Sequence, residues 1–199
     1  MKKIKVGIAG AAGYTGGELI RILIHHPKVE LVSLHSRSSA NKPVYTIHQD
    51  LAGDTDLSFS ATLDENIDVL FLCMGHGESG RYLEENSIHE NTLIIDLSND
   101  FRLDKNSLAG VRKFIYGLPE LNREAIKKAK NIANPGCFAT AIQLGLLPLV
   151  KQGLLNDVYT TGITGSTGAG QTFGNTSHFS WRAKISRHIK HIPTSICMR

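Results

Sequence analysis

The feature that most constrains the fold is a glycine-rich turn, GAAGYTG, near the start of the chain. The turn directly follows an apolar run at residues 3–9, which predicts a first β-strand, and it precedes a helical pattern at residues 17–26 that Pro27 ends. Glycines let such a turn tighten and let backbone N–H groups approach a pyrophosphate at the helix N-terminus. Glycines that only tighten a turn are the alternative. We expect a dinucleotide site formed by Gly10, Gly13, Tyr14, Thr15 and Gly16.

Strands and helices alternate along the rest of the first half of the chain. The pattern predicts strands at residues 29–35, 68–74 and 92–97, a helix at 77–86, and a loop or irregular excursion at 36–55. Alternation of this kind is typical of an α/β fold, a doubly wound parallel sheet of the Rossmann type.

Ser36, Arg37 and Ser38 follow the second predicted strand, at the position that selects between the two nicotinamide dinucleotides. An NAD site usually has Asp or Glu there, about 20 residues past the glycines, to bind the ribose hydroxyls. A guanidinium and hydroxyls suit a ribose 2′-phosphate, which a carboxylate would repel. We therefore predict NADP as the cofactor, with a solvated loop arginine as the alternative.

Cys137 ends the segment NPGC and begins an apolar helical run, CFATAIQLGLLPLV. At the first turn of a helix, backbone N–H groups and the helix dipole favour a thiolate, the nucleophilic form of cysteine. An inert thiol that fills a core is the alternative, and we prefer that interpretation for Cys73, inside an apolar strand. The three cysteines have no disulfide or CxxC spacing, which indicates a reduced, cytoplasmic compartment.

The formal net charge of +4 belongs to the last residues of the chain. Residues 183–199 hold four basic residues and no acidic one, which leaves 18 basic and 18 acidic residues in positions 1–182. A neutral body and a tail without interleaved aromatic residues argue against nucleic-acid binding. No apolar stretch is long enough to span a bilayer, and we predict no metal site.

Six motifs follow one another along the chain: GAAGYTG at 10–16, CMGHGES at 73–79, DLSNDFRL at 96–103, YGLPELNR at 116–123, NPGCFATA at 134–141 and TGSTGAG at 164–170. Together they resemble the N-acetyl-gamma-glutamyl-phosphate reductase family of arginine biosynthesis. Aspartate-semialdehyde dehydrogenases share the architecture and a cysteine nucleophile, but YGLPELNR beside NPGC favours the acetylglutamyl family. The motifs leave the acyl group open between acetyl and a relative such as succinyl.

The resemblance implies an NADPH-dependent enzyme with a covalent intermediate. Cys137 would attack the carbonyl of an acyl phosphate substrate, phosphate would leave, and hydride from NADPH would reduce the thioester to the semialdehyde. Gly168, in the loop GSTGAG, would lie near the nicotinamide or phosphate part of the cofactor. Arg102, in the DFR segment, would bind an anion or, as the alternative, form an ion pair with Asp100 or Asp104. The expected substrate contacts come from Ser98, Arg102 and His178.

The resemblance also implies a domain organisation. We predict an NADP-binding domain at 1–137, the start of a truncated α+β catalytic domain at 138–182, and a tail at 183–199 that departs from the family. Family members are longer homo-oligomers whose catalytic histidine follows the TGSTGAG loop, and the tail offers no match for it. A one-base shift of reading frame near Ala183 or Lys184 would explain the mismatch, as a hypothesis. A nucleotide-binding fragment without turnover is therefore the alternative function.

Overall fold

A computed structural model of the protein describes residues 2–163 and residue 165. The chain divides into two compact units, Met1–Gly136 and Cys137–Arg199. Within the described residues, the first unit contains the β-strands and three α-helices, and the second contains one α-helix.

Six parallel strands form the main sheet of the first unit. The strands in chain order are β1 (Ile4–Ala9), β2 (Val29–His35), β3 (Val69–Leu72), β4 (Leu93–Asp96), β5 (Leu108–Ala109), β6 (Arg112–Lys113), β7 (Ile115–Tyr116) and β8 (Asn131–Ala133), of which β5 and β6 form a separate antiparallel pair. The order across the main sheet is β2-β1-β3-β4-β8-β7. The chain therefore adds β2 on one side of β1 and then adds β3, β4 and the later strands on the other side. The direction of winding thus reverses next to β1.

The predicted doubly wound parallel sheet is confirmed, and β2 has the predicted bounds. The strand predicted at residues 68–74 is shorter, because its pairing with β1 ends at Leu72. The strand predicted at 92–97 is likewise shortened to β4. The sequence pattern gave no indication of β7 and β8, which contribute only two and three residues to the sheet.

Three helices follow strands of the main sheet: α1 (Tyr14–Leu23), α2 (Ser79–Glu85) and α3 (Pro119–Lys128). The helical spacing of Leu19, Ile22 and Leu23 predicts a helix that begins at Gly17, but α1 begins three residues earlier. Ile22 is exposed, and the buried residues of α1 are Gly16, Gly17 and Ile20. The buried face of α1 is thus largely glycine, which a hydrophobicity pattern does not register.

Two apolar clusters form the core of the first unit. One packs between β1, β2 and α1, and its fully or nearly fully buried members include Val6, Ile8, Ile20 and Leu34. The other surrounds β3 and β4 and includes Leu70, Leu72 and Ile94. In this second cluster Phe101 stacks on Phe114 with ring centroids 4.1 Å apart.

The predicted excursion after β2 contains two short 3-10 turns, Val44–Thr46 and Gln49–Leu51. Val44 and Leu51 are buried members of the first apolar cluster, so this polar-looking segment packs against the core. We refer to residues 43–51 as the strap.

The second unit is described chiefly by α4 (Cys137–Lys151). All of α4 is described, and Leu147 is its one buried residue, although the helix is rich in apolar side chains. No helix in the described part of the chain is long and apolar enough to cross a membrane.

Candidate functional site

The glycine turn lies at the carboxyl end of β1, where the winding of the sheet reverses. Gly10 has a φ of 79°, and a Cβ there would overlap the carbonyl oxygen of Cys73 beyond β3. A Cβ at Gly16 would lie 2.6 Å from the carbonyl oxygen of Gly10, so glycine lets α1 pack against the turn. Gly13 is the N-cap, and the first N–H groups of α1, from Tyr14 to Gly16, have no acceptor within the helix. The turn therefore has the shape and the donors that a phosphate group needs.

The carboxyl end of β2 is bonded to this turn, because the N–H groups of Gly10 and Ala11 both donate to the carbonyl oxygen of His35 at 3.1 Å. The next residues are those predicted to select the cofactor. Ser36 is buried and its hydroxyl lies 3.4 Å from that of Ser38, whereas the Arg37 side chain is exposed. The structure thus brings the predicted glycines and the Ser-Arg-Ser segment to the same edge of the sheet.

Arg37 has an acidic neighbour that the sequence did not reveal. Its Nη2 lies 3.8 Å from Oε2 of Glu85, the last residue of α2, and both side chains are well exposed. The carboxylate offsets part of the positive charge that the strand end presents to a ligand.

Two buried rings, His35 and Tyr82, adjoin the same strand end with centroids 5.4 Å apart. His35 Nε2 bonds to the carbonyl oxygen of Ala61 at 3.0 Å. Burial is the main reason why the pKa of His35 is lowered, and burial also raises the pKa of Tyr82 to about 12. Burial thus favours the uncharged form of both rings beside Arg37.

Asp96, at the end of β4, is fully buried and connects the start of α2 to the loop that follows β4. Its carboxylate accepts hydrogen bonds from the hydroxyls of Ser79 at 2.6 Å and Ser98 at 2.8 Å, and from the Ser98 N–H at 3.2 Å. Burial raises the pKa of Asp96, and the bonds from the two serines oppose that rise. Ser98 is itself fully buried with its hydroxyl donated to Asp96, so its role in binding substrate stays a prediction.

Arg102 links the end of β4 to the segment after β8. Its Nε donates to the carbonyl oxygen of Asn134 and its Nη2 to that of Leu97, each at 2.8 Å. A Cβ on Gly136 would lie 2.9 Å from Nη1, so glycine leaves room for the guanidinium. Asp100, one of the possible ion-pair partners, instead accepts two backbone N–H groups of the loop and helix after β3, at 2.6 and 3.1 Å. Anion binding by Arg102 stays a prediction.

Cys137 is the first residue of α4, and its side chain is exposed. Cys73 is buried in the first unit, where burial and then the nearby charge of Asp96 raise the pKa of its thiol to about 12. Cys73 is therefore held as a thiol in the core, in agreement with its interpretation as a core residue, whereas Cys137 is open to reagents.

Some of the predicted site residues fall outside the described part of the chain, namely Gly168, His178 and the tail at 183–199. Among the described residues, no group of three or more His, Cys, Asp or Glu side chains is arranged to hold a metal ion.

Sequence reasoning missed three residues that surround the strand ends: His48 in the strap, Ser79 at the start of α2, and Glu85 at its end. The apolar Val44 and Leu51, set in a polar stretch, were the one available sign that the strap packs against the first cluster. No local pattern marks a side chain whose partner is distant in sequence.

Comparisons with known proteins match both units. Residues 5–129 match the family described as semialdehyde dehydrogenase, NAD binding domain. Residues 137–191 match the family described as semialdehyde dehydrogenase, dimerisation domain.

Two curated relatives illustrate the similarity in sequence. The chain is 54% identical over 188 residues to the N-acetyl-gamma-glutamyl-phosphate reductase of Flavobacterium johnsoniae, which covers 94% of this chain and 58% of that protein. It is 55% identical over 180 residues to the protein of the same name from Christiangramia forsetii, covering 90% of this chain and 55% of that one. The chain thus spans little more than half the length of these relatives.

Two solved structures are similar in fold. Aspartate semialdehyde dehydrogenase with NADP from Candida albicans has a TM-score of 0.56 at 19% identity, over 80% of this chain and 50% of that chain. Aspartate semialdehyde dehydrogenase II complexed with ASA from Vibrio cholerae has a TM-score of 0.54 at 21% identity, over 75% and 47%. At these identities the likeness supports the fold alone.

Proposed function

The chain belongs to the semialdehyde dehydrogenase family, as its motifs predicted, and on that premise we propose that it is part of an NADPH-dependent N-acetyl-gamma-glutamyl-phosphate reductase. The observation that carries the proposal is the meeting of the glycine turn and Arg37 at the edge of the sheet where the winding reverses. Open parallel sheets bind their ligands at such an edge.

The residues present fit a nicotinamide dinucleotide with a 2′-phosphate. The cradle at Gly10 and Gly16 is closed to any larger side chain, and the N-terminus of α1 offers backbone N–H groups to a pyrophosphate. Arg37, flanked by Ser36 and Ser38, suits a ribose 2′-phosphate. When bound, NADPH supplies the hydride for the reduction.

Cys137 is the nucleophile in this proposal. Its thiolate sulfur attacks the acyl carbon, the bond from that carbon to the phosphate oxygen breaks, and phosphate leaves with the electron pair, which produces a thioester. Reduction of the thioester gives the semialdehyde and returns the thiolate. The guanidinium of Arg102 supplies a positive charge to the substrate anion, and its two bonds to Asn134 and Leu97 keep it in place.

Further roles follow from the sequence motifs and the resemblance that they carry rather than from the geometry. We assign Gly168 to the cofactor site, with Ser98 and His178 near the substrate, and leave the acid–base histidine unassigned. A place in arginine biosynthesis, a cytoplasmic location and assembly into a homo-oligomer complete the proposal. The relatives' names support the reductase activity, and the match to a dimerisation domain supports the homo-oligomer.

Cofactor selection gives the first test. Binding of NADPH and NADH to this chain, followed by the fluorescence of the nicotinamide, should show tighter binding of NADPH. Arg37→Ala should remove much of that preference, about 1–3 kcal/mol for a charge-assisted contact to phosphate. The exposed Arg123 on α3 provides the matched control, and Arg123→Ala should leave both affinities unchanged. Equal affinity of the unmutated chain for the two dinucleotides would contradict the assignment.

A nucleotide-binding fragment without turnover is the second candidate, because the glycine turn and Arg37 both belong to the first unit. Phosphate-dependent reduction of NADP⁺ with N-acetylglutamate semialdehyde distinguishes the two. We expect this chain to bind NADPH with little or no turnover, because its tail offers no match for the catalytic histidine of the family. General acid–base catalysis alone contributes about 10²- to 10⁴-fold to the rate. A chain extended in the family reading frame should recover the activity, and Cys137→Ser should abolish it. Full activity of the 199-residue chain would exclude the fragment interpretation.

A further inference from the structure

The strap crosses the first unit next to the glycine turn, and the side chains of His48 and Asp50 attach it to the turn and to α1. The Val44 N–H donates to the carbonyl oxygen of Leu57 at 2.9 Å, and Val44 and Leu51 are buried in the first apolar cluster. The strap is therefore a packed element rather than a solvated loop. Its two polar anchors, His48 and Asp50, reach different parts of the turn and helix that follow β1.

His48 is the anchor that reaches the turn itself. Its side chain is buried, and its Nε2 lies 2.9 Å from the carbonyl oxygen of Ala11, the second residue of the turn. Because a carbonyl oxygen only accepts, Nε2 carries the proton and donates it. The ring also meets Phe59 edge-on, with centroids 6.1 Å apart, which limits how far it can turn.

The fit between His48 and α1 leaves no spare room. A Cβ on Gly17 would lie 2.5 Å from Cε1 and 2.6 Å from Nδ1 of the His48 ring. A Cβ on Gly16 would lie 2.7 Å from the Cα of Ala11. The consecutive glycines thus let α1 approach both the Ala11 backbone and the imidazole that holds its carbonyl oxygen.

Asp50 is the second anchor, and it binds α1 rather than the turn. Its two carboxylate oxygens accept hydrogen bonds from Nε and Nη2 of Arg21, both at 2.6 Å. This bond with Arg21 lowers the pKa of Asp50 to about 2. The strap would therefore stay attached to α1 if the bond from His48 were lost.

The bond from His48 has a directional consequence for the turn. In a trans peptide the C=O and the following N–H point in opposite directions, and the described part of the chain contains no cis peptide. The carbonyl of Ala11 points at His48, so the N–H of Ala12 points away from it. That N–H belongs to the turn that offers its donors to the cofactor.

We propose that His48 is a positioning residue for the dinucleotide: it holds the carbonyl of Ala11, and thereby aims the N–H of Ala12 for the pyrophosphate. The proposal rests on the proposed function, in which this turn binds NADP(H). His48 does not contact the cofactor in this account and acts through the peptide plane of the turn. Its loss should weaken contacts to the pyrophosphate and leave contacts to the 2′-phosphate intact.

The test compares two ligands on the chain as given. NADPH engages the whole site, whereas adenosine 2′-monophosphate carries the phosphate that Arg37 would bind and no pyrophosphate. His48→Leu, which fills space without donating, should weaken NADPH binding about tenfold and change the affinity for adenosine 2′-monophosphate less than about twofold. His48→Gln, whose amide nitrogen can replace Nε2 as donor, should keep NADPH affinity within about threefold.

Two further variants separate positioning from stability. His48→Asn is polar but too short to reach the Ala11 carbonyl oxygen, so it should behave like His48→Leu and serve in its place if that variant does not fold. Asp50→Asn weakens the other anchor, and it should change NADPH affinity less than about threefold. The chemical shift of the Ala12 amide nitrogen, which shares a peptide group with the Ala11 carbonyl, should change without cofactor in His48→Asn and not in Asp50→Asn.

The results that would overturn the proposal differ from those that would overturn the proposed function. Failure of the unmutated chain to bind NADPH would remove the proposed function and this inference together. Binding by the unmutated chain with equal NADPH affinity in His48→Asn would remove the inference alone. Equal losses for NADPH and adenosine 2′-monophosphate, or failure of His48→Gln to restore affinity, would show that His48 only stabilises the fold.

Discussion

The first unit and helix α4 of the second unit differ in how much of their apolar surface they bury. The first unit has its own apolar core, in which Leu70 and Ile94 are fully buried, as in an independently folding domain. On α4 the exposed fraction of the apolar residues Phe138, Leu144 and Leu149 is 37–41%. An apolar helix gains most of its stability from packing, so α4 needs more contacts than the described residues supply.

This difference separates cofactor binding from the reaction of the candidate nucleophile. The candidate cofactor site stands on a self-supporting scaffold, since its glycines, Arg37 and Asp96 all belong to the first unit. The candidate nucleophile, Cys137, begins a helix that is only weakly buried. We therefore expect changes in the first unit to affect folding and cofactor binding, and changes on α4 to affect reactivity with little effect on the stability of the first unit.

The largest expected effect is a contrast between two thiols. With a thiol pKa of about 12, Cys73 has about one thiolate in 10⁵ at pH 7, and its burial also blocks reagents. Brief iodoacetamide treatment of the folded chain, followed by mass spectrometry, should show Cys137 reacting at least about 10³-fold faster. Comparable rates for the two residues would show that α4 shields its cysteine or that the first unit opens readily.

The next contrast concerns packing. Leu70→Ala should lower the free energy of unfolding by about 2–5 kcal/mol, because it leaves a cavity at a fully buried position. Leu144→Ala on α4 makes the same chemical change at an exposed position and should cost less than about 1 kcal/mol. Urea unfolding followed by far-UV circular dichroism measures both. Equal losses would mean that α4 is an integral part of the folding core.

The buried carboxyl of Asp96 predicts a pH dependence in the first unit. Its pKa is raised in the folded protein, so over a range above about pH 4 the folded state retains a proton that the unfolded state has lost. Stability from this group is complete below the unfolded pKa and is lost as pH rises through the folded pKa.

Asp96→Asn removes this titration and keeps one acceptor oxygen for the Ser79 hydroxyl and the Ser98 N–H, while its amide nitrogen replaces the oxygen that accepts from the Ser98 hydroxyl. The unmutated chain should therefore lose stability relative to Asp96→Asn as pH rises from about 4, by at most about 1.4 kcal/mol per pH unit. Urea unfolding at several pH values measures the difference. A difference for Asp96→Asn that does not vary with pH would contradict the assignment.

The smallest expected effect concerns the cofactor site. Glu85 lies 3.8 Å from Arg37 and opposes a bound 2′-phosphate, so Glu85→Gln should strengthen NADPH binding by about threefold and leave NADH binding unchanged. Glu84→Gln, at the neighbouring exposed position of α2, is the matched control and should have less effect. In an Arg37→Ala background the gain from Glu85→Gln should shrink, as a double-mutant cycle would show. The same gain with and without Arg37 would mean that the pair does not tune cofactor choice.

The local sequence pattern was sufficient to predict those features of the molecule that residues close together in sequence determine. The alternation and apolar runs predicted the parallel sheet and the bounds of β2, and the order of the motifs predicted the family. The start of α4 at Cys137 also followed from its sequence. These features follow from backbone conformation and hydrophobic period, which residues close in sequence set together.

Other features depend on residues that only the fold brings together. His48 and Ala11 are 37 positions apart, and neither the hydrogen bond between them nor the contact with Gly17 leaves a local trace. The same holds for the Arg37–Glu85 pair, for the burial of Ser98 against Asp96, and for the burial of the glycine face of α1. The sequence by itself thus determined the longer strands and helices and the family that the chain resembles, but not the short strands β5 to β8 or helix α3. Tertiary structure alone decided which polar groups meet at the strand ends, because a side chain's partner is set by how the strands and helices pack and not by its neighbours along the chain.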